Sequence, residues 1–87
     1  MAGQRYSILL KKSVEKDFKN IPKTDLQRII NLIGTLADNP RPVGCEKLTG
    51  QERYRVRQGR YRIIYSIHDN ELTVWVVKVA HRKDVYR

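Results

Sequence analysis

From Arg53 to Arg62 the chain reads Arg-Tyr-Arg-Val-Arg-Gln-Gly-Arg-Tyr-Arg. Arginine stands at 53, 55 and 57, with Tyr54 and Val56 between. That alternation has the period of a strand whose two faces differ in chemistry. Gly59 and Arg60 suit a two-residue turn with glycine first. Folded about that turn, Gln58 pairs with Tyr61, Arg57 with Arg62, Val56 with Ile63 and Tyr54 with Tyr65. Paired residues point to the same side of a sheet. One face then collects Tyr54, Val56, Ile63 and Tyr65, and the other Arg53, Arg55, Arg57 and Arg62. Arg57 directly opposite Arg62 is repulsive, so folding alone does not select the arrangement. A bound anion would offset it. Phosphate is the natural candidate, because the planar guanidinium fork grips it at two points and also stacks on bases. The plainer reading is a solvated face that aids solubility, and a one-residue slip of register would scatter the cluster. The clean segregation of arginines from apolar residues favours the anion site.

Other groups add to this set. Arginine stays protonated and is a poor general base. His81 is the histidine near the site in sequence, and an imidazole suits acid–base work, although its side chain could instead point away from Arg82 or simply pack. His68 lies beside a turn signal and reads as a surface residue. Trp75, Tyr61 and Tyr86 are possible stacking surfaces for unpaired RNA; for Trp75 a place in the core is an equal alternative. Arg53 and Arg60 are candidate RNA contacts. Lys78 and Lys83 are peripheral phosphate contacts or solvated charges. The single cysteine, Cys45, sits in a Pro/Gly-rich loop and reads as a space-filler. It excludes a disulfide within the chain and leaves a Cys/His metal site without ligands, so neither metal nor cofactor is expected.

Composition agrees with an anionic partner. Eighteen Lys and Arg oppose nine Asp and Glu in 87 residues, a formal net charge of +9. Such an excess costs self-repulsion, and the usual partner is a nucleic acid or an acidic protein. No apolar run has the length of a membrane span, and no signal-peptide pattern opens the chain. A reduced cytoplasm is the expected setting, with no membrane contact.

Positioning these residues requires a short list of elements. Tyr6 to Leu10 is an apolar run of strand length. Val14, Phe18 and Ile21 form one helical stripe, with Ser13 as the expected N-cap. Leu26, Ile29, Ile30, Ile33, Leu36 and Ala37 form a second, longer stripe. Thr24 with Gln27 resembles a capping box, while Pro22 could instead open the helix at its first position. Gly34 inside that helix predicts close packing there. Asp38 to Pro42 ends it. A Pro/Gly-containing loop leads to the hairpin, Asp69-Asn70 signals another turn, and Glu71 to Val79 forms a last strand. The tail from Ala80 to Arg87 reads as polar. The expected fold is α+β: an N-terminal strand, a two-helix hairpin, then a three-stranded antiparallel meander, with both helices on one face of the sheet. One domain over 1–87 is expected.

Four segments together resemble RelE-type toxins of the RelE/ParE toxin–antitoxin superfamily: Asn39-Pro40-Arg41-Pro42, Lys47-Leu48-Thr49-Gly50, Tyr54 through Tyr65, and Ala80 through Tyr86. The resemblance runs from Tyr6 to the end of the chain. It implies a fold like the microbial ribonucleases. It implies cleavage of messenger RNA in the ribosomal A site, by attack of a ribose 2′-OH on the adjacent phosphate, and arrest of translation. The implied partners are a RelB-like antitoxin and the ribosome carrying mRNA, with DNA engaged only indirectly through the antitoxin complex. The implied catalytic residues are Arg55 and Arg57, where the best-known member has lysines, with Arg62, Arg82 and Tyr86. The glycine common before the His-Arg pair is Ala80 here. A ParE-like toxin that inhibits gyrase without nuclease activity, a catalytically inactive RNA-binding relative, and a ribonuclease acting without ribosomes are the rival readings.

Overall fold

The structure, a computed structural model, describes residues 5–50 and 52–81. The expected roles of Arg82, Lys83 and Tyr86 therefore lie outside the described residues. Strand β1 (Ser7–Leu10) is followed by helices α1 (Lys12–Lys19) and α2 (Lys23–Thr35), a two-residue strand β2 (Glu46–Lys47), then β3 (Tyr54–Gln58), β4 (Tyr61–His68) and β5 (Thr73–His81). A 3-10 turn, Asp69–Glu71, joins β4 to β5. The sheet order is β1-β5-β4-β3-β2, with β1 parallel to β5 and the remaining pairs antiparallel. The meander and the N-terminal strand match the expected order, but the last strand runs Thr73–His81 instead of Glu71–Val79, so Ala80 is a buried strand residue and not the start of a polar tail. Strand β2 was not foreseen, since two residues carry no readable period.

Both helix starts differ from expectation. Lys11, not Ser13, is the N-cap of α1, and Ser13 lies inside the first turn. The Lys11 amide still bonds to the Val76 carbonyl of β5 at 3.1 Å, so the chain leaves the sheet and enters the helix without a spacer. At α2 the N-cap is Pro22, whose carbonyl accepts the Leu26 amide at 2.8 Å, and no side chain caps the helix. The Thr24–Gln27 capping box does not form; Gln27 donates instead to Asn31 one turn on. Gly34 is exposed, and a Cβ there would meet nothing within 4 Å. Close packing is therefore not its reason.

Helix α1 lies against β5 and α2 against β3. Between them and the sheet, Val14, Ile29, Leu36, Ile63, Tyr65, Val74 and Val76 are wholly buried. Ile30 of the predicted stripe is 45% exposed and outside this core. The hairpin register is the one the turn dictates: Tyr54 opposite Tyr65, Val56 opposite Ile63, Arg57 opposite Arg62. Gly59 has φ +60, the conformation a turn with glycine first demands.

One irregularity decides what the last strand shows to each side. Ile64 pairs with Lys78 but Tyr65 pairs with Val76, so Val77 is an extra residue on β5. Counting by twos back from buried Val79 would send Val77 and Trp75 into the core. The bulge inverts the alternation: Val76 and Val74 turn inward, both fully buried, and Trp75 turns to the face the helices leave open. The core reading of Trp75 is thereby corrected.

Candidate nucleic-acid interface

Arg55 and Arg57 of β3, Arg62 of β4 and Lys78 of β5 fall on that open face. Arg55 pairs with Ile64, Arg57 with Arg62, Ile64 with Lys78, and Arg62 with Ala80. Arg53 precedes β3 and Arg60 lies in the hairpin turn, both exposed. Four of the predicted cations thus share one surface. They are not equally accessible. Arg57 and Lys78 are exposed, Arg55 is half-buried, and Arg62 is only 3% exposed. The sequence reading put Arg62 on an arginine face open to a bound anion. It sits in the middle of the sheet, where neighbouring strands cover a central side chain.

The group that sequence reasoning missed is Glu46. Strand β2 pairs Glu46 with Arg55, which places its carboxylate beside the Arg55 guanidinium in an ion pair. That hydrogen bond holds the Glu46 carboxyl below its usual range. The Arg55 charge adds to the effect, and Arg57 and Arg62 contribute further. Three arginines thus act on one carboxylate. The repulsion of Arg57 across from Arg62, for which the sequence suggested a bound anion, is offset in part by an anion of the chain itself. Arg55 does not use all its donors there: its Nε is buried without a hydrogen-bond partner. The missed signal was an acid at the end of the Pro/Gly loop, visible only once the loop is known to end in a strand.

That loop is fixed from below. Tyr65 donates to the Pro40 carbonyl at 2.7 Å from a buried position, and burial pushes its phenol well up. Arg41 donates to Asp69 at 3.0 Å and lies over the Tyr54 ring at 5.4 Å. Tyr6 donates to the same carboxylate at 2.6 Å. These contacts give Asn39-Pro40-Arg41-Pro42 a structural purpose: they hold the segment that delivers Glu46 to the arginines. An open hollow of about 450 Å³ adjoins this edge, lined by Val43, Gly44, Cys45, Glu46, Val56 and Arg57.

His81 is separated from the arginines, although it shares a hollow with Lys78. It pairs with Tyr61, its ring meets the Tyr61 ring edge-on at 5.3 Å, and it borders a hollow of about 180 Å³ with Asp17, Asn20 and Ile21 on the helix side. The arginines are on the other side of the sheet. His68 is exposed at the end of β4, bonded to Ser66. No group of three or more His, Cys, Asp or Glu among the described residues could hold a metal. No described helix is long and apolar enough to cross a membrane.

An α+β fold with a helix-covered face and an arginine-bearing face narrows the class to a small basic domain that presents cations on a sheet. A family model described as the ParE toxin of the type II toxin–antitoxin system, parDE, matches residues 8–86. Toxin RelG of Mycobacterium tuberculosis is 30% identical over 86 residues, covering 94% of this chain and 97% of its own. Among solved structures, the RelE–RelB complex from Pyrococcus horikoshii OT3 superposes with a TM-score of 0.81 at 28% identity, covering 90% of this chain and 96% of that one. The RelBE2 toxin–antitoxin complex of M. tuberculosis gives 0.80 at 25% identity, covering 90% and 92%. The chain belongs to this toxin family: it is a RelE-type toxin of a type II toxin–antitoxin pair.

Proposed function

We propose that the protein is a ribosome-dependent mRNA endoribonuclease that cuts in the A site and so inhibits translation. The observation that carries the proposal is the convergence of Arg55, Arg57 and Arg62 on one open sheet face around a single carboxylate. In the reaction, a ribose 2′-oxygen bonds to the neighbouring phosphorus, and the bond from phosphorus to the 5′-oxygen breaks. The 2′-OH proton leaves to an acceptor, the 5′-oxygen takes up a proton, and the products are a 2′,3′-cyclic phosphate and a 5′-OH. Charge builds on the non-bridging oxygens. Guanidiniums held by packing before the substrate arrives stabilise that charge without reorganisation. Arg57 is the accessible donor and Arg62 the one fixed by burial. Glu46 is an ionised proton acceptor within the same group. Arg82 and Tyr86, one as a further charge and the other as a base-stacking or proton-donating group, complete the proposed site, with Lys83, Arg53, Arg60 and Lys78 as peripheral RNA contacts. The ribosome supplies the oriented substrate, so free RNA is cut slowly. A RelB-like antitoxin, the partner of the archaeal and mycobacterial RelE neighbours, is the proposed cognate inhibitor.

The test is a translation reaction with mapped mRNA ends, with and without ribosomes. Ribosome-dependent A-site cuts are expected. Arg57→Ala and Arg62→Ala should each lower cutting by about 10²- to 10³-fold. Arg57 is exposed, so its removal should leave the fold intact even if loss of buried Arg62 does not. Unchanged cutting in Arg57→Ala would remove it from the mechanism. The ParE name of the matching family supports a second reading, inhibition of gyrase; intact mRNA together with blocked DNA supercoiling would establish that one instead.

A further inference from the structure

The open face has two halves. Arg55, Arg57, Arg62 and Lys78 occupy one; Trp75 of β5 dominates the other, between Leu9 of β1 and Ser66 of β4 in the pairing. Trp75 is there only because of the extra residue at Val77, since regular alternation would bury it. An irregular ladder is an unfavourable way to place a large apolar ring outside the core. The core gains nothing from this exchange beyond two valines. Nor is the ring an isolated apolar surface: the Lys11 ammonium lies 4.7 Å from its centroid, and Leu9 beside it is 41% exposed. An indole with an adjacent cation, on the same sheet face as an arginine cluster, is the combination that binds single-stranded nucleic acid: the cations track phosphates and the ring stacks on a base. Trp75 lies five residues along β5 from Ala80, which pairs with Arg62. At about 3.3 Å per residue that is roughly 16 Å, a few nucleotides along a strand.

We propose that Trp75, turned outward by the bulge at Val77 and flanked by Lys11, is a stacking platform for an unpaired RNA base a few nucleotides from the phosphate held by the arginines. The proposal rests on the RNA-cleaving reading and extends it. It assigns the aromatic half of the face to base binding, and it makes RNA occupancy depend on bases as well as charge.

Trp75 is the sole tryptophan of the chain, so its emission reports the site directly. The experiment is titration of the full chain with short single-stranded oligoadenylate carrying 2′-O-methyl groups, which cannot be cut by 2′-oxygen attack. Saturable quenching of Trp75 emission is expected, together with loss of quenching for a backbone of the same length lacking bases. Trp75→Ala should weaken binding, measured with labelled RNA, by about 5- to 150-fold, the range for one stacked base. Trp75→Phe, which keeps a ring and guards against a folding defect, should retain affinity within a few-fold. RNA binding with unchanged emission and equal affinity in Trp75→Ala would overturn the platform while leaving the nuclease reading standing. Absence of RNA binding by the unaltered chain would overturn the platform alone; the nuclease reading falls only if mRNA stays uncut in the translation reaction. Quenching by an antitoxin-derived peptide but not by RNA would assign the face to a protein partner and overturn the platform alone.

Discussion

At the scale of single residues, Glu46 is the acid that, among the described residues, is paired into the arginine cluster. Glu46 competes with any incoming phosphate for Arg55, because both offer oxygens to the same donors. The ion pair is largely solvated on the Glu46 side, which keeps its contribution to stability small and leaves the carboxylate displaceable. Glu46→Gln preserves shape and removes charge. It should tighten inorganic phosphate and single-stranded RNA several-fold at neutral pH, measured by titration calorimetry or by shifts of the arginine side-chain NMR signals. Equal or weaker affinity would show that Glu46 does not compete. Binding is the appropriate measurement, since the same substitution also withdraws a proton acceptor from the reaction.

At the scale of elements, the legible parts were those with a strong period and a demanding turn. The hairpin from Tyr54 to Tyr65 was readable to the residue because Gly59 fixes the turn and the turn fixes the register. The helical stripes were readable, but their starts were not. Lys11 caps α1 through backbone position alone, which side-chain preference does not record, while Pro22 stands one position ahead of the helix opening that its proline chemistry suggests. Strand β2 and the bulge at Val77 depend on pairing with a neighbour, which no single segment records. Arg62 lies on the face that the hairpin register predicts, but the register says nothing of its burial, because exposure depends on what covers a position. Gly34 is the instructive failure. It lies in the last turn of α2 with open space where a Cβ would go, so it carries the entropic cost of glycine without a packing benefit. Gly34→Ala should therefore raise unfolding free energy by about 0.5–1 kcal/mol. For a domain of this size that is a rise of several degrees in Tm. A lower Tm would reveal a contact or a backbone requirement at Gly34 that the described residues do not show.

At the scale of the whole molecule, the excess of cations makes every carboxylate matter for holding the fold together. Eighteen Lys and Arg are opposed by nine acids, so acidification both strips the ion pairs and leaves the positive charge unopposed. Asp69 is the acid placed where this tells most, because it ties Tyr6 at the N-terminal side and Arg41 of the long loop to the β4–β5 turn. The Arg41 hydrogen bond, then that from Tyr6, holds its carboxyl below the ordinary value of 3.8. Glu46 is likewise held below 4.5 by Arg55. A group with a depressed folded-state pKa contributes stability that is present above its unfolded pKa and lost as the pH falls through the folded one. Tm should thus be nearly level from neutral pH down to about 5 and decline beneath it. Asp69→Asn should lower Tm at neutral pH, since Arg41 loses its partner, and flatten the acid limb, since one of the protons taken up on unfolding is gone. Thermal melts of both proteins from pH 7 to 3 decide this. Parallel curves across the acid range would mean that Asp69 does not couple protonation to the fold, and the loop that presents Glu46 to the arginines would then need another anchor.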